Sequence, residues 1–302
     1  MSDFPIIDPH HHFWDLTRNY HPWLHDEPMI PFRYGDYSPL RARNFLPEDY
    51  RRVSTGHHVV ATVTVEGEWD PRDPVGETRW ISELAGREGM PAAHVAQAWL
   101  DRDDAAEVLA AQAAFALVRG VRHKPRAAAS PEAAQPGAPG SMGDPRWQAG
   151  FAQLADHGLH FELQTPWWHL GEAVSLAERF PAVPIVLNHT GLPADRSPGG
   201  LAGWRKAMGL LASVPHVSVK ISGLGLPGQP WRLEDNRPII RDTIELFGVE
   251  RCLFASNFPV DGLCVDFDTL YRGYKASVAD CSVAEQRALF HDNAARVYRL
   301  AR

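Results

Sequence analysis

The sequence predicts one α/β domain folded as a closed (β/α)8 barrel. Eight short runs rich in β-branched residues recur along the chain, and helical patterns fill most of the gaps between them, as a parallel sheet requires. The C-terminal ends of those runs carry an unusual number of charged and imidazole side chains, and that end of such a barrel holds the active site. No internal repeat and no linker divides the chain, so residues 1–302 form one domain.

The predicted strands cover 4–12, 57–66, 94–100, 117–123, 159–164, 183–189, 216–222 and 251–257. Helical spacing of apolar residues predicts helices over 75–87, 103–116, 145–157, 168–180, 201–213 and 236–247. Several end at His157-Gly158 or Phe247-Gly248, where glycine can close a helix. A last helix is announced by Ser282 with Glu285 three residues on, a capping-box pattern. Its residues Phe290, Ala294 and Val297 share one face, which should pack on the barrel wall. Two stretches are irregular: 21–47, rich in aromatic residues and proline, and 125–143, rich in Ala, Pro and Gly. Both follow strand ends and could fold over the mouth as lids; a loose surface excursion is an equal reading of the second.

At 302 residues and 44% hydrophobic residues the chain can bury a large core. A net charge of −7 without a basic block points away from nucleic acid and anionic membranes and toward a small soluble ligand. Met1-Ser2-Asp3-Phe4-Pro5 has neither the basic stretch nor the apolar core of a signal peptide, and no apolar run reaches spanning length, so a cytoplasmic protein is expected. Cys252, Cys264 and Cys281 show neither metal-type spacing nor an even count.

The most informative residues are His10, His11 and His12 at the end of the first strand. Strand alternation turns His10 and His12 to one face and His11 to the other, so two imidazoles converge. Such a pair suits metal binding or general-base catalysis, or else a structural histidine cluster. If the eight strands share a mouth, it also receives Glu66, Trp99 with Asp101, Arg122 with His123, Glu162 with Gln164, His189, Lys220 with Ser222, and Asn257 followed by Asp261. Burying so many polar groups together is costly unless they hold an ion or a polar ligand. His10, His12 and His189 with a nearby carboxylate could hold zinc, whose bound water ionises near neutral pH. Arg122 and Lys220 could steady an oxyanion or grip a substrate carboxylate, or else pair with Glu66 or Glu162. The implied chemistry is hydrolysis of an ester, lactone or amide.

Five segments, Ile7-Asp8-Pro9-His10-His11-His12-Phe13-Trp14, Arg119-Gly120-Val121-Arg122-His123, Val186-Leu187-Asn188-His189-Thr190-Gly191, Lys220-Ile221-Ser222-Gly223-Leu224 and Phe254-Ala255-Ser256-Asn257-Phe258-Pro259-Val260-Asp261, occur in order over nearly the whole chain. Together they resemble the amidohydrolase-related TIM-barrel hydrolases, the branch with L-fuconolactonase, L-rhamnonolactonase and 2-pyrone-4,6-dicarboxylate lactonase. By that likeness His10 and His12 match the first-strand pair, His189 matches a later-strand histidine, and Arg122 and Lys220 match positions near the substrate. The branch includes zinc-dependent and metal-independent members, so the resemblance allows one divalent metal, zinc first, or none.

One position departs from the resemblance. The family's lactonases carry an aspartate at the end of the last strand, and here Asn257 stands there. Asparagine cannot take up a proton at neutral pH and is a weak metal ligand. Asp261, folding back over the mouth, or Glu66 would have to supply the carboxylate. The leading expectation is a hydrolase opening a lactone of a sugar acid or aromatic catabolite. His10, His12, His189, Asn257 and Asp261 would be its catalytic residues. Trp14, Glu66, Arg122, His123, Glu162, Lys220 and Ser222 would contact substrate, and an aromatic loop with Trp14, Tyr20 and Trp23 would cover it. A zinc decarboxylase of the same superfamily and a non-catalytic binding protein are the alternatives. Barrels of this kind often associate, so a homo-oligomer is compatible with the class.

Overall fold

The computed structural model describes residues 4–300. Its strands are β1 (Ile6–His11), β2 (Val59–Val65), β3 (Ala93–Gln97), β4 (Val118–Arg122), β5 (His160–Leu163), β6 (Ile185–Leu187), β7 (Val217–Ile221) and β8 (Cys252–Phe254), all parallel and paired in chain order. Each predicted strand is present and shorter than predicted, although β3 starts one residue earlier, at Ala93. The ring nearly closes just beyond β8, where Asn257 N–H donates to His10 O (2.7 Å) and His12 N–H donates to Phe258 O (2.8 Å). Asp8 reinforces this seam by accepting from Ser256 N–H (2.9 Å), Ser256 Oγ–H (2.6 Å) and the Tyr50 hydroxyl (2.7 Å).

The register of β1 against β2 shifts between Asp8 and His11, where three steps on β1 face two on β2. This bulge resets the alternation. Asp8 and His11 both meet Tyr50 on the outer side of the sheet, the latter at 4.6 Å between rings, while His10 turns inward. Bulges re-aim side chains in this way beside functional sites.

Helices Gly76–Glu88, Ala105–Ala113, Pro145–Ala152, Leu170–Arg179, Pro198–Ala212 and Leu233–Phe247 follow the expected gaps. The third stops at Ala152, earlier than expected, and turns carry the chain to Gly158 at φ +61°. A further helix, Phe267–Ser277, was not anticipated, although Asp266 caps it by accepting from Thr269 N–H (2.8 Å) and Phe267, Leu270, Tyr271 and Tyr274 are buried at helical spacing. In the final helical run Ser282 and Glu285 form the capping box, and a π turn, Ala288–Asp292, precedes Asn293–Val297. Phe290 packs on the outer wall against Phe4 and Phe254, while Ala294, Ala295 and Tyr298 cluster with Ile7, Val63, Val95 and Leu253, plugging the barrel at the end away from the histidines.

The 21–47 stretch folds into two single-turn helices, Pro22–His25 and Ser38–Arg41, and continues into the helix Pro47–Val53. Trp23, Phe32 and Tyr37 form its aromatic core, and Trp23 Nε1–H (2.8 Å) and His21 Nδ1–H (2.9 Å) both donate to Gly67 O, pinning it over the mouth. The second irregular stretch is held too. Glu172 accepts from His169 Nδ1–H (2.8 Å), Ser141 Oγ–H (3.1 Å) and Gly143 N–H (3.2 Å), while Ala128 N–H donates to His169 Nε2 (2.9 Å). Among the described residues no helix is long and apolar enough to cross a membrane.

Candidate active site

The rings of His10 and His12 lie 5.2 Å apart and those of His10 and His189 lie 4.7 Å apart, whereas His11 packs against Phe13 (4.6 Å) and Tyr50 on the other side of β1. A cavity of about 260 Å3 opens beside them at the C-terminal ends of the strands. It is lined by His12, His189, Asn257, Arg122, Arg33, Lys124, Glu68 and Gln164, and by the apolar groups Trp23, Ile30, Phe32, Leu192 and Val260.

His12 has a defined tautomer. Its Nδ1 lies 2.8 Å from Val65 O, and a carbonyl can only accept, so Nδ1 carries the proton and Nε2 keeps its lone pair. Burial, aided by the Arg122 charge, lowers its pKa to about 3, so the ring is neutral near pH 7.

His189 opens a left-handed turn in which His189 (φ +53°), Thr190 (+51°), Gly191 (+68°) and Leu192 (+57°) all have positive φ. Such backbone costs about 1–3 kcal/mol per non-glycine residue and clusters at functional sites. The turn aims His189 at the cavity, with Nδ1 2.8 Å from Ser222 Oγ. Gly223 (φ +64°) leaves room for this ring; a Cβ there would sit 2.8 Å from His189 Cγ.

His10 is fully enclosed. Lys220 Nζ lies 3.4 Å from His10 Nδ1, and an ammonium can only donate, so the His10 proton sits on Nε2, which has no hydrogen-bond partner. Lys220 itself pairs with Glu162 at 2.6 Å, both side chains being fully buried. Glu162 also accepts from Tyr298 Oη–H (2.5 Å) and Asn188 Nδ2–H (2.5 Å). Burial is the largest single effect and raises the Glu162 pKa, but Lys220 and His160 together, by charge and hydrogen bond, hold the carboxyl down at about 2. This pair lies beneath the site, and neither member lines the cavity.

Arg122 does line the cavity, held by Glu66: Nε–H donates to Glu66 Oε1 (2.5 Å), Nη2–H to Glu66 O (2.6 Å), and Nη1–H to Gln164 Oε1 (3.1 Å). Both pairings that the sequence left open are therefore made, Arg122 with Glu66 and Lys220 with Glu162. Glu66, whose other oxygen accepts from Glu68 N–H (2.7 Å), is committed to this network.

Asp261 folds back one turn beyond Asn257 and is likewise engaged. Its Oδ1 accepts from Asn257 Nδ2–H (2.7 Å) and Tyr34 Oη–H (2.7 Å), and its Oδ2 accepts from Gly223 N–H (2.9 Å). Asn257, at φ +54°, thus keeps its Oδ1 as an acceptor at the cavity that it lines.

Besides Glu66, Glu162 and Lys220, three expected substrate contacts, Trp14, His123 and Ser222, do not line this cavity. Trp14 is buried behind His12, donating to Arg43 O (3.2 Å), because β1 hands the chain directly into the aromatic layer under the lid. His123 accepts from Leu100 N–H (3.1 Å) and Trp147 Nε1–H (3.0 Å), and faces a neighbouring cavity. Ser222 is buried and serves His189, and Tyr20 binds Asp26 (2.7 Å) in the outer part of the lid. Arg33 and Lys124 were missed as cavity residues. Arg33 contacts Tyr34 and donates to Gly223 O (2.5 Å). It is the only Lys or Arg between positions 21 and 40, a lone cation in a stretch predicted to cover the mouth, and that signal could have found it.

The donor set does not fit the expected zinc site. Among the described residues no group of three His, Cys, Asp or Glu side chains is disposed to hold a metal ion. His10, one of the three expected ligands with His12 and His189, faces an ammonium through Nδ1 and carries its proton on Nε2. The last-strand position offers an amide, and Asp261 is engaged by three donors.

Known proteins bear on this arrangement. The chain is 40% identical over 300 residues to the uncharacterized protein y4mH of Sinorhizobium fredii, covering 99% of this chain and 100% of that one. It is 30% identical over 311 residues to an L-fucono-1,5-lactonase of Burkholderia multivorans, covering 97% and 96%. A solved amidohydrolase of Burkholderia multivorans with bound zinc superposes with a TM-score of 0.80 at 27% identity, covering 98% and 99%. The Amidohydrolase family matches residues 7–300, and the chain belongs to that family of hydrolases.

Proposed function

We propose that this protein is a lactonase that opens the cyclic ester of a sugar acid with water activated at the histidine-lined mouth. The observation that carries the reading is His12: a neutral imidazole with its lone pair held on Nε2 in a cavity that also presents Arg122, Arg33 and Lys124. Attack of water on a lactone carbonyl needs a proton acceptor, an oxyanion partner and a place for the carboxylate product. His12 Nε2 is the acceptor. A base this weak takes the proton only as the new C–O bond forms, not beforehand. Arg122, fixed by Glu66 and Gln164, and Arg33, fixed by Gly223 O, are donors already oriented for negative charge developing on the carbonyl oxygen. Asn257 Oδ1 orients the attacking water, and His189, steadied by Ser222, contacts the ring from the opposite side. Trp23 and Phe32 supply apolar surface for the sugar's C–H face.

The water proton ends on the leaving ring oxygen, so lactone and water give one hydroxy acid. The 30% identity to an L-fucono-1,5-lactonase supports the substrate class. The test is a panel of sugar-acid lactones followed by acid release, before and after dialysis against a chelator. Turnover that survives chelation is expected; no turnover of any lactone by metal-supplemented and metal-free protein sinks the reading.

A further inference from the structure

A second cavity of about 280 Å3, similar in size to the first, lies beside it. The two share Trp23, Glu68, Arg122 and Lys124, so one wall serves both. The far side of the second is formed by Trp69, Trp99 and Gln97.

Its chemistry differs from a packing defect. Trp69 is backed by Trp80, stacked at 6.3 Å, and Trp99 by the Arg102 guanidinium at 5.1 Å, so both indoles are held in place. Among the described residues the indole N–H of Trp99 makes no hydrogen bond, whereas that of Trp23 is spent on Gly67 O and that of Trp69 lies against Gly76 and Asp73. Gln97 is 9% exposed, and its Oε1 is buried without a partner. A buried amide left unpaired costs about 1–3 kcal/mol unless a ligand or water meets it. Rigid indole faces, one unspent N–H donor, an amide and a charged rim make a surface for a ring with hydroxyls on its edge and C–H groups on its faces.

We propose that the second cavity is a subsite for a second sugar ring attached to the lactone ring, so that the enzyme's substrates are glycosylated sugar-acid lactones. The inference rests on the lactonase reading. Water adds to the lactone carbonyl and the ring C–O bond breaks, giving a glycosylated hydroxy acid; the glycosidic bond stays intact. The shared wall of Arg122, Lys124 and Trp23 places the joint between the rings at the boundary of the two cavities.

The test compares monosaccharide aldonolactones with glycosylated counterparts (cellobiono-, lactobiono- and maltobionolactone) in wild type, Trp69→Ala and Gln97→Met. At least one glycosylated lactone should exceed its parent in kcat/KM by about tenfold, and both variants should remove that gain while leaving the parent lactone unchanged. Turnover of parent lactones with no glycosylated lactone favoured overturns the subsite and leaves the lactonase reading standing. If no lactone is turned over, the lactonase reading fails, and the subsite is decided by tryptophan-fluorescence titration with cellobionate, lactobionate and maltobionate. Saturable quenching lost in Gln97→Met supports it, and no quenching overturns it. Gln97→Met keeps side-chain volume, which guards against a folding defect in Trp69→Ala.

Discussion

Asn257 donates its side-chain N–H to Asp261 Oδ1 at 2.7 Å, so the amide at the end of the last strand is the partner of a carboxylate one turn later. The pair turns the apparent loss of an aspartate into a relay. The carboxylate is present, but it lies behind the amide and holds it, together with Tyr34 and the backbone of Gly223, the residue that makes room for His189.

Asn257→Asp would place two buried carboxylates at hydrogen-bonding distance, where both cannot ionise freely. Burial already raises the Asp261 pKa. The variant should lose about tenfold or more in kcat/KM at neutral pH, and its melting temperature should fall further below wild type at pH 8 than at pH 5. Steady-state kinetics and thermal melts at the two pH values decide it; a gain of activity would show that the amide is not part of a working site.

Gly223→Ala tests the positioning of His189. The new methyl meets Arg33 Nη2 at 2.5 Å and His189 Cγ at 2.8 Å on a backbone at φ +64°, so it displaces both groups. A displaced ring should cost about 100-fold in kcat, with a destabilisation of about 1–3 kcal/mol. Kinetics with a denaturation curve separate the two effects, and wild-type kcat would exclude His189 from the reaction.

The Glu162–Lys220 pair predicts a pH dependence of stability. The Glu162 pKa is held at about 2 against an ordinary value of 4.5. Between those values the unfolded chain binds the proton and the folded protein does not, so stability rises with pH through this window. The pair's contribution is complete above about pH 4.5 and is lost as pH falls through about 2. Glu162→Gln leaves Lys220 buried without its counter-charge and should cost about 3–5 kcal/mol at pH 7. It should also flatten the acid limb of chemical denaturation curves between pH 5 and 2.5, and an unchanged acid limb would contradict the assignment.

Glu172→Ala should release the 125–143 stretch, since its carboxylate gathers His169, Ser141 and Gly143. Limited proteolysis should then cut within this stretch, while turnover of small lactones stays within about twofold, because the stretch lines neither mouth cavity. Equal resistance to protease would show that other contacts suffice.

Much of this was legible from residue order. Eight β-branched runs found their strands because alternation and apolar runs are local signals, and β-branched side chains suit a sheet covered on both faces. His10 and His12 were separated from His11 by the same alternation. The bulge beside them was not visible, since it depends on the register against β2. The Phe267–Ser277 helix was legible but passed over: Asp266 and the spacing of Phe267, Leu270, Tyr271 and Tyr274 announce it.

Partner choice was beyond the chain's local chemistry. The sequence placed Arg122, Lys220, Glu66, Glu162 and Asp261 at one barrel mouth, as strand-end chemistry dictates. Only the folded barrel decided that both cations are spent on carboxylates, that Asp261 serves Asn257, that His12 Nδ1–H donates to Val65 O, and that Arg33 comes down from the lid. The physical reason is distance along the chain. Arg122 and Glu66 are 56 residues apart and Tyr34 and Asp261 are 227 apart. Whether such groups meet is set by sheet register, by a bulge and by left-handed turns, each an outcome of packing the whole barrel.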